Sequence, residues 1–140
     1  MNSIDIFTAA ATGDIETTKA LLSSGVDPNC VSDTGWNLLI YAVENDRNDM
    51  VEFLLDCGAN VNFQSAGGWT ALHQAVDLSI DGTIQTGGKQ GDEPTDMIKY
   101  LLDRGANLSL KDNMGSSPLD IARTYNSKKI IKFFNEFTPK

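Results

Sequence analysis

The chain has 140 residues, 41% apolar and 21% charged, a composition that fits one globular domain able to bury its own core. Its formal charge of −8 is unevenly spread: residues 1–104 carry 5 basic and 16 acidic side chains, and residues 105–140 carry 6 and 3. Such an acidic body repels phosphates, which excludes nucleic acid as a ligand; it either serves solubility or favours a basic protein partner.

No apolar run approaches the ~20 residues that span a bilayer. The start, Met1-Asn2-Ser3-Ile4-Asp5, has no basic flank of the kind a signal peptide carries. A cytoplasmic location and no membrane partner are therefore expected. Cys30 and Cys57 form no Cys-x-x-Cys or Cys/His cluster, so reduced thiols are expected, with no cofactor and no metal.

In chain order, the first helix is expected over Ile4 to Thr12, with Ala9-Ala10-Ala11 as a close-packing face. Gly13-Asp14 breaks it, and a second helix follows from Ile15 to Ser23, stopped by Gly25. The next stretch repeats this scheme. Asp33-Thr34-Gly35 reads as a hairpin tip, Leu38 to Asn45 and Asp49 to Cys57 as two helices, with Asp49 as an N-cap and Gly58 as the stop. Met50-Val51 and Leu54-Leu55 have the helical 3–4 spacing of core residues.

An offset of 33 carries Gly35, Leu39 and Ala42 onto Gly68, Leu72 and Ala75, and an offset of 80 carries them onto Gly115, Leu119 and Ala122. Subtracting 33 leads back to Ile6, Ala9, Leu21-Leu22 and Gly25. A fixed period of this length signals units that cannot bury their apolar faces alone and therefore stack. Between Asp77 and Asp96 the offset grows from 33 to 47, which places an insertion there; its Gly82, Gly87, Gly88, Gly91 and Pro94 argue against one continuous helix. In the last unit Pro118 suits a first helical turn, and Lys128, Lys129 and Lys132 suit the polar outer face of a terminal repeat.

The repeated unit resembles a known family. Gly68-Trp69-Thr70-Ala71-Leu72-His73-Gln74-Ala75-Val76 and Leu54-Leu55-Asp56-Cys57-Gly58-Ala59-Asn60-Val61-Asn62 are similar to the two halves of the ankyrin repeat. The second and fourth units depart from it, with Asn37-Leu38-Leu39-Ile40 and Ser117-Pro118-Leu119-Asp120 where the family has Thr-Pro-Leu-His. The resemblance implies an all-α solenoid of stacked helix pairs joined by short hairpin loops. It would form one domain over 1–140, with repeats at about 1–30, 31–63, 64–110 (insertion 77–96) and 111–140. It looks like the small stand-alone ankyrin proteins of bacteria. It also implies that His73 is structural, tying one loop to the next.

Catalysis would need a nucleophile with a base, or converging carboxylates. His73 is the only histidine, and no Ser or Cys pairs with it in a recognisable motif, so no enzyme activity is expected. Gly87-Gly88-Lys89-Gln90 fails as a phosphate loop, lacking the Ser/Thr after Lys and the first glycine. Asp77-Leu78-Ser79-Ile80-Asp81-Gly82-Thr83-Ile84 resembles the start of a calcium loop, yet Gly88 stands where the bidentate glutamate belongs. An Asx-rich turn is expected there, with weak calcium binding by Asp77, Ser79 and Asp81 as the rival reading.

The family resemblance implies that hairpin tips and inner helices line a concave, partner-binding face. Carried over, those positions are Asp33, Thr34, Trp36, Glu44 and Asn45; then Ala66, Gly67, Trp69, Asp77 and Leu78; then Asn113, Met114, Ser116, Thr124 and Tyr125. Trp36 and Trp69 occupy one position in consecutive units, expected to face outward as anchors within an acidic rim of Asp33, Glu44 and Asp77; the rival reading folds each indole down over its neighbour's hairpin, extending the core. The expected function is non-catalytic binding of another protein with a basic surface, by a monomer. A sharper form is a stand-alone inhibitor, such as an immunity protein capping a toxic enzyme. The alternative is a scaffold or assembly subunit that inhibits nothing.

Overall fold

The computed structural model describes residues 5–85, 95–125 and 127–137. Their elements are α1 (Ile6–Thr12), α2 (Ile15–Ser23), α3 (Leu38–Glu44), α4 (Asn48–Asp56), a 3-10 turn at Ala66–Gly68, α5 (Ala71–Gln85), α6 (Asp96–Asp103), α7 (Pro118–Thr124) and α8 (Lys128–Glu136). Each odd-numbered helix packs on the even-numbered one that follows. The inner row stacks α1 on α3, α3 on α5 and α5 on α7. This is an all-helical solenoid, and the 33-residue offset generates it.

Close stacking of the inner row depends on small residues where the helices meet. Ala9, Ala42, Ala75 and Ala122 are all buried there, and Leu39 and Leu72 fill the layer between. Each fully buried leucine contributes roughly 2 kcal/mol or more from apolar burial. Behind this row Met50, Val51 and Leu54 on α4, and Ile98 and Leu101 on α6, complete the core.

Three hairpin tips share one hydrogen-bond pattern. The amide of Ser32 donates to the carbonyl of Trp36 (2.9 Å), that of Ser65 to Trp69 (2.8 Å), and that of Asp112 to Ser116 (2.9 Å). Successive tips are tied by Ala66 N–H to Gly35 O (3.1 Å) and Asn113 N–H to Gly67 O (2.7 Å). The helix that follows each tip is capped in its own way. Asn37 Oδ1 accepts from the Ile40 amide, Ser117 and Asp120 form a reciprocal capping box, and His73 is bonded to Thr70. These different solutions explain why Thr-Pro-Leu-His can vary between units without loss of the fold.

A second ladder runs along the turns that leave the even helices. Asn29 Oδ1 accepts from the Asn60 amide (2.6 Å), and Asn62 Oδ1 from the Asn107 amide (2.7 Å), while Asn62 Nδ2 donates to Gly105 O (3.1 Å). Asn62→Ala deletes both bonds across one repeat junction. We expect a stability loss of about 1–2 kcal/mol by urea denaturation, because neither backbone group regains a partner of equal geometry.

Some expectations are corrected. Helix α1 begins at Ile6 behind the N-cap Asp5, whose carboxylate accepts from the Thr8 amide at 2.8 Å; Ile4 lies outside the described residues. Asp49 is not the N-cap of α4. Arg47 holds that position without a side-chain cap, and its Nε instead donates to Ala11 O (3.2 Å), binding the first unit to the second. Asp49 sits in the first helical turn, where its charge still favours the helix dipole.

The insertion does not begin as a turn. Helix α5 continues through Gly82 to Gln85, because Leu72, Val76 and Ile80 keep helical spacing and all three are buried. Asp77 and Ser79 therefore stand about 200° apart around a helix, which cannot bring their oxygens to one ion. The loop that the calcium reading needs is helix here, and among the described residues no group of three or more His, Cys, Asp or Glu is arranged to hold a metal. Gly87, Gly88, Gly91 and Pro94, with the Gly87-Gly88-Lys89-Gln90 stretch, lie outside the described residues. Both cysteines are free thiols. No helix among the described residues is long and apolar enough to cross a membrane.

Candidate functional site

The inner helices and tips of the second and third units, with the tip of the fourth, line a groove of about 690 Å³. Unit two supplies Trp36 and Glu44, and unit three supplies Ala66, Gly67, Trp69, Gln74 and Asp77. Unit four adds Asp112, Asn113 and Met114. Three carboxylates thus surround two indoles and a thioether, and no lysine or arginine lies among the described lining residues.

Neither indole is fully exposed and neither is fully buried, a state between the outward-facing expectation and its rival. Both are half-buried and packed against the core, Trp36 tilted on Tyr41 with ring centroids 6.0 Å apart and Trp69 on His73 at 4.9 Å. Trp69 is held further by its indole N–H, which donates to Gln74 Oε1 at 2.8 Å, while Gln74 itself is buried. The rings are therefore rigid walls and not free-standing anchors. The most exposed large apolar side chain on the rim is Met114, at 89%.

Burial and hydrogen bonding together fix the state of His73. The Thr70 amide donates to Nδ1 (3.2 Å), and Nε2 lies 2.8 Å from the Ser116 carbonyl, which can only accept. The proton therefore sits on Nε2. Burial pushes this imidazole below its ordinary value, opposed by its bond to Ser116 and by the charge of Asp112. His73 supports the unit-four tip from beneath and takes no part in lining the groove.

Eight of the residues carried over as site positions meet in the groove: Trp36, Glu44, Ala66, Gly67, Trp69, Asp77, Asn113 and Met114. The others lie elsewhere. Asp33 and Thr34 border a separate depression of about 500 Å³ with Phe7 and Tyr41, and the Tyr41 hydroxyl lies 2.8 Å from Ser32 Oγ. Leu78 faces a cleft of about 290 Å³ with Val43, Asp46 and Met97. Asn45 is exposed and donates to Tyr41 O (2.8 Å), Ser116 is half-buried above His73, and Tyr125 is exposed outside the groove.

Two groove residues escaped the sequence reading. Asp112 stands where the other tips have Ser32 and Ser65, a change of residue type at an equivalent position that marks it. Its Oδ1 accepts from the Met114 and Ser116 amides (both 2.9 Å), which fixes the carboxylate at the tip. Gln74 carried no sequence signal beyond following His73.

Comparison with known proteins matches residues 6–85 to a family model of three ankyrin repeats and residues 67–113 to a single ankyrin repeat. Human 2-5A-dependent ribonuclease is 39% identical over 95 residues, covering 67% of this chain and 11% of that protein. The mouse B-cell lymphoma 3 protein homolog is 34% identical over 124 residues, 88% of this chain and 24% of that protein. Mouse RelA-associated inhibitor is 33% identical over 71 residues, 51% of this chain and 9% of the relative. The crystal structure of the ankyrin repeat domain of Bcl-3, a member of the IkappaB protein family, superposes with a TM-score of 0.71 at 34% identity, covering 93% of this chain and 50% of that one. The chain spans at most about a quarter of the length of these curated relatives.

Proposed function

The chain belongs to the ankyrin repeat family, and from that premise we propose that it is a non-catalytic binding module whose groove receives the basic surface of another protein. The observation that carries this reading is the convergence of Trp36, Trp69 and Met114 with Glu44, Asp77 and Asp112 from three successive units. Indoles in a half-desolvated groove supply contact energy, and a one-signed rim supplies association rate and selectivity. A nucleic-acid ligand is disfavoured by the same carboxylates.

The sharper form of this reading is a monomeric inhibitor that caps a basic enzyme or toxin. It is supported by charge and by analogy to a relative whose name is that of an inhibitor. A scaffold subunit using an apolar contact is the rival. Salt separates the two, since a charge-led complex weakens steeply as ionic strength rises.

Glu44 gives the cleanest test, because it is exposed and reversing its charge disturbs no packing. In affinity capture from the native source, the wild type should retain a basic protein. Glu44→Lys should bind that protein about tenfold more weakly, a change of ~1.4 kcal/mol, with an unchanged melting temperature. Equal retention by both forms would sink the assignment of the groove. Assaying the captured protein's own activity, with and without the chain, decides between inhibitor and scaffold.

A further inference from the structure

We propose that the groove accommodates an arginine side chain of the partner, with its guanidinium laid on the Trp69 face that His73 does not cover and paired with Glu44 and Asp112. This rests on the protein-binding reading above and specifies the chemistry recognised.

Three observations lead to it. The indole N–H of Trp69 is already donated to the buried Gln74, so the ring offers a ligand its π-face and no hydrogen bond. That leaves attraction for a cation, or plain apolar contact, as its means of recognition. The ring is also pre-oriented, locked by Gln74 at its edge and by His73 at 4.9 Å beneath, so little ordering is needed on binding.

Charge completes the case. Glu44 and Asp112 come from the units on either side of Trp69 and line the same groove, with no lysine or arginine among its described lining residues. A ligand that stacks flat on a ring while its edges accept carboxylates must be planar, cationic and rich in donors. Guanidinium has all three properties, whereas a lysine ammonium is a compact point charge that cannot stack. A phosphate or carboxylate ligand would meet like charge on both walls.

The experiment uses the full chain and the blocked pentapeptide acetyl-Gly-Gly-Arg-Gly-Gly-amide, with the citrulline and lysine peptides as comparators. Indole N–H signals of Trp36 and Trp69 are followed by NMR during titration. The arginine peptide should shift the Trp69 signal saturably, with the citrulline peptide, which keeps the shape without the charge, at least fivefold weaker. The double variant Glu44→Gln/Asp112→Asn keeps the amide-accepting oxygen of residue 112 and so preserves the tip; it should bind the arginine peptide at least fivefold more weakly. Equal shifts from arginine and citrulline peptides, or no shift of Trp69 up to millimolar peptide, would overturn the arginine site. If the native partner were still lost on Glu44→Lys, the protein-binding reading would survive that result. Stronger binding of the lysine peptide would likewise reject guanidinium as the recognised group.

Discussion

Gly68→Ala should lower stability by about 3 kcal/mol, measured by urea denaturation. Two terms combine. Gly68 has φ +75°, where a side chain is strained by roughly 1–3 kcal/mol. An added Cβ would also lie 2.9 Å from Asp112 Cα and 3.0 Å from Asn113 N, both backbone atoms that cannot rotate away. Overpacking of this kind typically costs another ~1–3 kcal/mol. Gly105→Ala is the matched control. It has φ +97° but nothing within 4 Å of where the new methyl would stand, so it should show the backbone strain alone, about 1–2 kcal/mol. Equal losses in the two variants would mean that the tips do not press on each other. Because Gly67 and Asn113 both line the groove and share a 2.7 Å bond, Gly68→Ala should also weaken partner binding more than Gly105→Ala does.

His73→Ala should cost about 2–4 kcal/mol. It deletes a fully buried ring and leaves the Ser116 carbonyl without its side-chain donor and the Thr70 amide without its acceptor. The same ring makes stability depend on pH. Burial lowers the imidazole pKa in the fold below the ~6.5 of the unfolded chain, so the unfolded state binds the proton first. Stability is then complete above pH ~6.5 and falls as pH drops toward the lowered folded value. Since His73 is the only histidine, thermal melts between pH 7.5 and 5 should show the decline in wild type and little of it in His73→Gln. A wild type as flat as the variant would show that the ring protonates without disturbing the fold. Asp14 and Asp120, held low by hydrogen bonds from Thr17 and Ser117, act in a separate window: their stabilisation is lost only as pH falls below the ordinary carboxylate range.

Much of the fold was legible in the sequence, for a stated reason. A unit of 33 residues with one apolar face cannot fold alone, so its repetition dictates stacking, and the equivalent alanines and leucines dictate where helices touch. The offsets alone therefore indicated the helix pairs and the tips. They also brought Trp36 and Trp69 to one face. Only the tertiary structure decided how far those rings turn inward, because that depends on Tyr41, His73 and Gln74 packing across the hairpins. It likewise carried α5 past Asp77, since Ile80 found core that no local rule could reveal, and it separated Leu78 and Tyr125 from the groove. Periodicity states which residues are equivalent. Which of them share a surface depends on contacts between side chains distant in sequence, and a one-dimensional pattern does not contain those.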